Sequence, residues 1–231
     1  MDILKKIDTF RRSPVKSMRV KLEKVYMRAL IEWWSKLQLK CCGLLGIIAE
    51  FHNGLPPSSK KPVYADLWFL YKNVRNRRPR IIWEFGSGCS TLVLAYALWK
   101  NSKEGSGGFM YSIDADQFWG NSTRALTPLF LSPFYKLIHS SIAKAGDGGL
   151  RHTTLPDAIP DFVYLDGPDS PHFQPSVAVD VLDIEDKLPP KFFLIVDCRR
   201  DNVHFLRDHL KKRYKFWRRK FIPQYVFELS G

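Results

Sequence analysis

The fold of this chain is decided by the stretch Arg80-Ile-Ile-Trp-Glu-Phe-Gly-Ser-Gly-Cys-Ser-Thr91. Its apolar first half, Ile81–Phe85, is typical of a strand that is buried on both faces. Residues 92–98 are mostly apolar and suit a helix that packs on a sheet. Between the two elements, Gly86 and Gly88 allow the backbone to turn sharply and to come close to a ligand. The sequence therefore predicts strand, tight turn and helix.

A ligand site is predicted at this turn. Ser90 and Thr91 are placed to cap the new helix, and the free amides at a helix start favour polar or anionic groups. An ordinary strand-to-helix turn would carry the same two glycines, so the motif alone leaves both interpretations open. The fingerprint of nicotinamide-binding proteins has a third glycine where this chain has Thr91, which disfavours a nicotinamide cofactor.

The segment Glu84-Phe-Gly-Ser-Gly88 resembles motif I of the class I S-adenosylmethionine (SAM) dependent methyltransferases in its ExGxG form. Two later motifs extend the resemblance over residues 63–229. It implies a Rossmann-like three-layer α/β/α sandwich, with a mostly parallel seven-stranded sheet and one antiparallel strand. It also implies that this turn holds the methionine part of SAM. The cofactor-binding residues that it implies here are Glu84, Gly86, Ser87, Gly88, Cys89, Ser90 and Thr91.

The second motif is an acid after the second predicted strand, residues 109–113. In a doubly wound sheet this strand ends beside the turn after strand one, so that a carboxylate there can accept both ribose hydroxyls of a nucleoside. Asp114 matches the acid that the family carries at this place, although it could instead cap the helix that begins near Gln117. The resemblance adds Ala115 and, after strand three, Ser141 to the cofactor-binding residues.

The third motif is a buried strand over residues 158–165 whose end, Asp166, enters a Gly-Pro turn. Strands one and four share a cleft, so Asp166 should face the acceptor side of the site. His172 follows in the loop above the cleft, where a general base would be useful. Asp166 and His172 are the predicted catalytic residues, although an aspartate before Gly-Pro can simply hold its own turn and a loop histidine can simply be solvated. A helix is predicted over residues 177–188.

Asp197 ends the fifth predicted strand and, with Asp166, raises the question of a divalent metal, since hard cations prefer convergent oxygen ligands. The catechol-type O-methyltransferases have Asp-Asn after strand five. This chain has Asp197 followed by Cys198. A metal is therefore not favoured, and the alternative is two aspartates that cap their own turns.

With 231 residues, of which 45% are hydrophobic, the chain can bury one substantial α/β core. Residues 1–55 are predicted to form an amphipathic helical extension and residues 63–231 the SAM-binding domain, separated by the linker Asn53-Gly-Leu-Pro-Pro-Ser-Ser59. The extension could be a lid or packing helix, a contact with a membrane surface, or a dimer contact.

The formal charge of +13 is compatible with nucleic acid, an anionic membrane surface or a solvated basic face. The clusters at residues 75–80 and 211–213 precede strands and should lie opposite the cleft, which makes nucleic acid an unlikely partner. Four cysteines lack the spacing of a zinc site or a disulfide scaffold. No signal peptide or transmembrane segment is predicted, and a cytoplasmic location is expected.

The interpretation favoured by the sequence is methyl transfer from SAM to an oxygen or nitrogen of a small-molecule acceptor. One alternative is a non-catalytic module on a Rossmann-like fold that binds nucleic acid or a membrane surface. A lesser alternative is aminopropyl transfer, for which the extra carboxylates that a polyamine needs are not found. The acceptor and the oligomeric state stay open.

Overall fold

A computed structural model describes residues 14–57, 59–168 and 176–230. Its centre is a seven-stranded sheet in the order β3-β2-β1-β6-β7-β9-β8, and a two-stranded hairpin, β4-β5, lies apart from it. The strands are β1 (Ile81–Phe85), β2 (Phe109–Asp114), β3 (Tyr135–His139), β4 (Ile142–Lys144), β5 (Leu150–His152), β6 (Phe162–Leu165), β7 (Phe193–Asp197), β8 (Tyr214–Arg218) and β9 (Gln224–Leu229).

Helices cover both faces of this sheet. They are α1 (Pro14–Cys41), α2 (Leu45–Gly54), α3 (Tyr64–Arg77), α4 (Cys89–Lys103), α5 (Gln117–Leu126), α6 (Asp180–Asp183) and α7 (Arg200–His209), with short 3-10 helices at Leu129–Phe134 and Glu185–Lys187. One buried apolar cluster joins the sheet to α1–α4, and a second joins its other face to α6 and α7. The molecule is therefore the three-layer sandwich that the sequence predicts.

The direction of the strands also agrees with the prediction. Each neighbouring pair from β3 to β7 is parallel, whereas β9 runs antiparallel to both β7 and β8. Successive residues of β1 point to opposite faces: Ile82 enters the first cluster, and Trp83 and Phe85 enter the second. Because both faces are covered, the central strands are buried on each side, as their continuous apolar runs indicate.

The predicted helix over residues 177–188 is wrong. The backbone of Val177 to Val179 instead pairs with the start of β5, where the Leu150 amide donates to the Val177 carbonyl at 2.7 Å and the Val179 amide donates to the Leu150 carbonyl at 3.0 Å. Only α6 and the 3-10 helix Glu185–Lys187 are helical in this segment. Helical spacing of apolar residues could not reveal that a distant hairpin would bind the backbone of the first three residues.

From residue 14 onward, where the structure describes it, the amino-terminal extension has two helices, and α1 packs against α3. Its Glu32 carboxylate accepts hydrogen bonds from the amides of Tyr64 at 2.7 Å and Ala65 at 2.8 Å, the first residues of α3. A side chain from α1 thus satisfies amides that a helix start leaves unpaired. In the described part of the chain, no helix has both the length and the apolar character needed to cross a bilayer.

Candidate functional site

The carboxyl ends of four neighbouring parallel strands form one edge of the sheet. The turn after β1 follows Phe85, and Asp114, Asp166 and Asp197 stand at or just after the ends of β2, β6 and β7. In open α/β sheets the ligand binds at this edge, where the strand order reverses. The reversal in this chain lies between β1 and β6, so the turn after β1 is at the centre of the cleft.

The turn between β1 and α4 depends on its glycines. Gly86 has φ +95° and Gly88 has φ +156°, conformations that L side chains rarely adopt. A Cβ at Gly88 would meet nothing within 4 Å, so the space beside this residue is open. Helix α4 begins at Cys89 with Gly88 as its N-cap residue. The predicted capping is confirmed for Thr91, whose side-chain oxygen accepts from the amide of the N-cap residue Gly88. Ser90 lies inside the first turn of the helix, and its predicted capping is wrong.

Thr91 also stabilises the turn through two hydrogen bonds of its side chain. Its hydroxyl donates to Glu84 Oε2 at 2.6 Å, and its oxygen accepts from the Gly88 amide at 3.0 Å. Glu84 is completely buried, and among the described residues its Oε1 has no hydrogen-bond partner. Burial raises the pKa of Glu84 to about 7, against the opposing effect of neighbouring hydroxyls. Glu84 thus lies beneath the turn as a supporting carboxylate with one unsatisfied oxygen.

Asp114 is joined to the same turn across the sheet. Its carboxylate accepts from the Ser87 hydroxyl, and Oδ1 also accepts from the Asp116 amide at 2.8 Å. Burial raises the pKa of Asp114, although these hydrogen bonds lower it. The residue that caps α5 is Asp116, whose Oδ1 accepts from the Phe118 amide at 2.8 Å. The alternative role of Asp114 as a helix cap is therefore not observed.

The other predicted cofactor-binding residues lie along the same edge. Ala115 is half-buried beside Asp114, and Ser141 is exposed, with its carbonyl accepting from Thr153 at 2.8 Å. Its neighbour Ser140 donates its amide to the Asp114 carbonyl at 2.9 Å, which joins the end of β3 to the site. Burial raises the pKa of the Cys89 thiol to about 11, so that it stays protonated at neutral pH.

The turn after β6 packs directly on the turn after β1. The Asp166 amide donates to the Phe85 carbonyl at 3.0 Å, and a Cβ at Gly167 would lie 2.9 Å from the Gly86 nitrogen. Only glycine fits at this approach. The Asp166 side chain is exposed at the edge of the cleft. The sequence showed Gly167 as part of a turn and carried no sign of its contact with a second turn.

The loop that carries His172 lies outside the described residues. The described residues on either side of this loop, Pro168 and Ser176, are held by one side chain, since Arg199 donates from Nη2 to the Pro168 carbonyl at 2.6 Å and from Nη1 to the Ser176 carbonyl at 2.9 Å. The predicted base role of His172 stays a prediction.

Sequence reasoning missed a polar cluster beside the end of β7, formed by Asp66, Asp197, Arg219 and Gln224. Asp66 Oδ1 accepts from Arg219 Nη1 at 3.2 Å, and the same nitrogen contacts the Gln224 side-chain oxygen. Burial and the nearby Asp197 raise the pKa of Asp66 to about 7, while Arg219 opposes them. An acid in the apolar first turn of α3 was a weak signal, because a helix start favours acids in any case.

Asp197 is the residue for which a metal-binding role was considered. Burial raises the pKa of its carboxyl group, and its Oδ1 is buried without a hydrogen-bond partner in the described ranges. Within residues 14–57, 59–168 and 176–230, no three His, Cys, Asp or Glu side chains come together as a metal-ion site. The pair Asp166 and Asp197 thus has no third protein ligand of these types in that part of the chain.

Comparison with solved structures identifies the class of fold. The chain is similar to SAH-bound methyltransferase PaMTH1 of Podospora anserina, with 14% identity and a TM-score of 0.57 over 81% of this chain and 87% of that one. It is also similar to the SAM-bound O-methyltransferase TomG of Streptomyces achromogenes, with 13% identity and a TM-score of 0.50 over 80% of this chain and 90% of that one.

A methyltransferase of Geobacter sulfurreducens aligns with 15% identity and a TM-score of 0.50 over 85% of this chain and 98% of that one. No family model and no curated protein sequence matches the chain. The chain therefore has the fold of the class I SAM-dependent methyltransferases, over nearly the full length of these structures.

Proposed function

We propose that this protein is a SAM-dependent methyltransferase that acts on an oxygen or nitrogen of a small-molecule acceptor. The observation that carries the proposal is the contact between Ser87 and Asp114, which brings the turn after β1 and the acid after β2 together at the carboxyl edge of a methyltransferase-type sheet. Neighbouring structures with this fold are described with SAM or SAH bound.

The residues at this edge fit such a cofactor. The backbone at Gly88 faces open space and leaves room for close approach, and the buried Glu84 supports the turn from beneath through its hydrogen bond from Thr91. Asp114 retains lone pairs for ribose hydroxyls, because a carboxylate offers about four acceptor sites and Asp114 fills two of them here. Residues 86–91, Asp114, Ala115 and Ser141 would hold the cofactor, and Glu84 would act through the turn that it supports.

When bound, SAM supplies an electrophilic methyl group. The task left to the protein is to position the acceptor atom and to accept its proton where it is a hydroxyl or an amine. We assign the acceptor side to Asp166 and His172. We add Asp66 because Arg219 joins it to Gln224, which pairs with Asp197 at the end of β7. Burial raises the pKa of Asp66 to about 7, where a general base is effective. Arg219 orients this carboxylate by its hydrogen bond to Oδ1.

A non-catalytic nucleic-acid-binding role is less well supported, because the arginines of the basic cluster before β1 are already paired with acids. Arg75 and Arg78 pair with Glu104, and Arg77 pairs with Glu228 at 2.8 Å. These pairs lie at the amino-terminal edge of the sheet, opposite the cleft. We therefore keep the enzyme proposal and treat nucleic acid as an unlikely partner.

Titration calorimetry with SAM, SAH and NAD tests the cofactor part of the proposal. We expect heat for SAM and SAH and none for NAD, and binding of NAD alone would overturn the proposal. The acceptor is then sought by incubating the protein with methyl-labelled SAM and a fractionated metabolite extract. Mass spectrometry of the labelled product distinguishes O-methylation from N-methylation.

A further inference from the structure

One face of α1 exposes a continuous band of large hydrophobic side chains, which we call the apolar stripe. They recur at intervals of three and four residues or as direct neighbours, so they share one side of the helix. Each is exposed by between 37% and 69%. The stripe consists of Leu22, Val25, Tyr26, Leu30, Trp33, Trp34 and Leu37.

The orientation of the stripe is fixed by the opposite side of the helix. Ser35 and Leu39 are buried against the rest of the protein, and Glu32 is bonded to the first amides of α3. The helix cannot rotate its stripe inward without breaking these contacts. At about 1.5 Å per residue, the stripe from Leu22 to Leu37 extends over roughly 22 Å along the helix, as a continuous outward-facing surface. Contiguous exposed apolar surface of this kind marks an interaction site.

The charges of α1 indicate what covers the stripe. Its sequence has seven basic residues, namely Lys16, Arg19, Lys21, Lys24, Arg28, Lys36 and Lys40, and two acids, Glu23 and Glu32. Because Glu32 is engaged with α3, Glu23 alone faces this excess of cations. A second copy of the same helix would bring two strongly basic surfaces together, whereas an anionic surface would be attracted. The charge of the whole chain, +13, has the same sign.

The aromatic residues of the stripe suit a boundary between lipid and water. Trp33 and Trp34 are exposed by 60% and 51%, with ring centroids 6.5 Å apart, and Tyr26 is exposed by 69%. Such side chains combine an apolar ring with a polar group and are enriched at membrane interfaces. Apolar and aromatic residues on one face, together with abundant Lys and Arg, are the features of helices that lie in the plane of an interface.

We propose that α1 docks through its apolar stripe on an anionic phospholipid surface and lies parallel to it. Lys21, Lys24 and Arg28 are exposed on this helix and add electrostatic attraction to the burial of the stripe. The proposal does not depend on the cofactor or on the reaction, so it stands or fails separately from the proposed function.

Sedimentation with vesicles tests this proposal on the full chain. We expect the protein to sediment with vesicles of phosphatidylcholine and phosphatidylserine in equal parts and to stay in solution with phosphatidylcholine alone. The double variant Leu22→Gln, Trp33→Gln should bind at least about tenfold more weakly, since it removes two large apolar groups. Lys21→Glu with Lys24→Glu should also bind at least about tenfold more weakly, since each basic residue near an anionic surface contributes to binding.

Leu129→Gln is the matched control, because Leu129 is 85% exposed on a segment that packs against α4. Its binding to anionic vesicles should equal that of the wild type. Circular dichroism and the thermal unfolding midpoint should be unchanged in all variants, which separates loss of docking from loss of fold. The proposal is overturned by failure to bind anionic vesicles, by binding that both double variants retain, or by light scattering that shows a dimer which Leu22→Gln, Trp33→Gln dissociates.

Discussion

The two halves of the cleft are built from the chain in different ways. The half between β1 and β2 is formed by residues close in sequence to the strands that position them, and its central contact, Ser87 to Asp114, spans 27 positions. The half beside β6 and β7 joins Asp66 to Arg219 across 153 positions. The first half is thus encoded by local motifs, and the second exists only once the sheet has formed.

This difference predicts that variants in the first half change cofactor affinity, whereas variants in the second change turnover. The largest effect is expected for Asp114→Ala. Loss of each charge-assisted hydrogen bond to the ribose should weaken SAH binding by about 1.5–3 kcal/mol in calorimetry. Asp116→Ala is the control, since it removes the cap of α5 and leaves Asp114 in place. If folded Asp114→Ala binds SAH as tightly as the wild type, the ribose assignment is wrong.

Glu84→Gln tests whether Glu84 stabilises the turn by its hydrogen bonds alone or also makes the stability depend on pH through its ionisation. The pKa of Glu84 in the folded protein, about 7, lies above the ordinary 4.5. Its stabilising contribution is therefore complete below pH 4.5 and is lost as the pH rises through 7, a change of about 3 kcal/mol in the free energy of unfolding. In denaturant unfolding without ligand, the free energy of unfolding of the Gln variant should change by about 3 kcal/mol less between pH 4 and pH 8 than that of the wild type. An unchanged pH dependence would contradict the assignment.

Gly167→Ala tests the contact between the turn after β6 and the turn after β1, where the two halves of the cleft meet. The new Cβ would lie 2.9 Å from the Gly86 nitrogen and 3.1 Å from the Phe85 carbonyl oxygen, which are backbone atoms that cannot easily move. We expect a loss of about 1–3 kcal/mol in the free energy of unfolding. Gly146→Ala is the control, because its Cβ would meet nothing within 4 Å. Equal stability of both variants would show that the turns separate freely.

Asp66→Asn should have the smallest energetic effect and the most specific one. It removes the buried charge while keeping the shape of the side chain, so SAH affinity should stay within about twofold of the wild type, and methyl transfer should fall at least about tenfold. Asp166→Asn should show the same division between affinity and rate. Asp208→Asn, an exposed carboxylate on α7, is the control for both. Loss of SAH affinity in Asp66→Asn would place this residue in the cofactor half.

The sequence allowed the prediction of those features that depend on local pattern. The central strands were recognisable because both of their faces are buried, and Gly86 was recognisable because a sharp turn separates strand from helix. The helix over 177–188 was predicted wrongly because backbone pairing with β5 outweighs helical spacing there. Asp66 was not predicted, since nothing near it in sequence indicates that Arg219 and Asp197 will surround it.

The carboxylate of Glu32 connects the amino-terminal extension to the first turn of α3. The first amides of α3, those of Tyr64 and Ala65, are capped by this side chain of α1. The next residue in α3 is Asp66. Besides the chain that joins them through α2, α1 and α3 are thus connected directly by hydrogen bonds. A tilt of α1 would displace the first turn of α3 through these two hydrogen bonds, so the position of Asp66 depends on the orientation of α1.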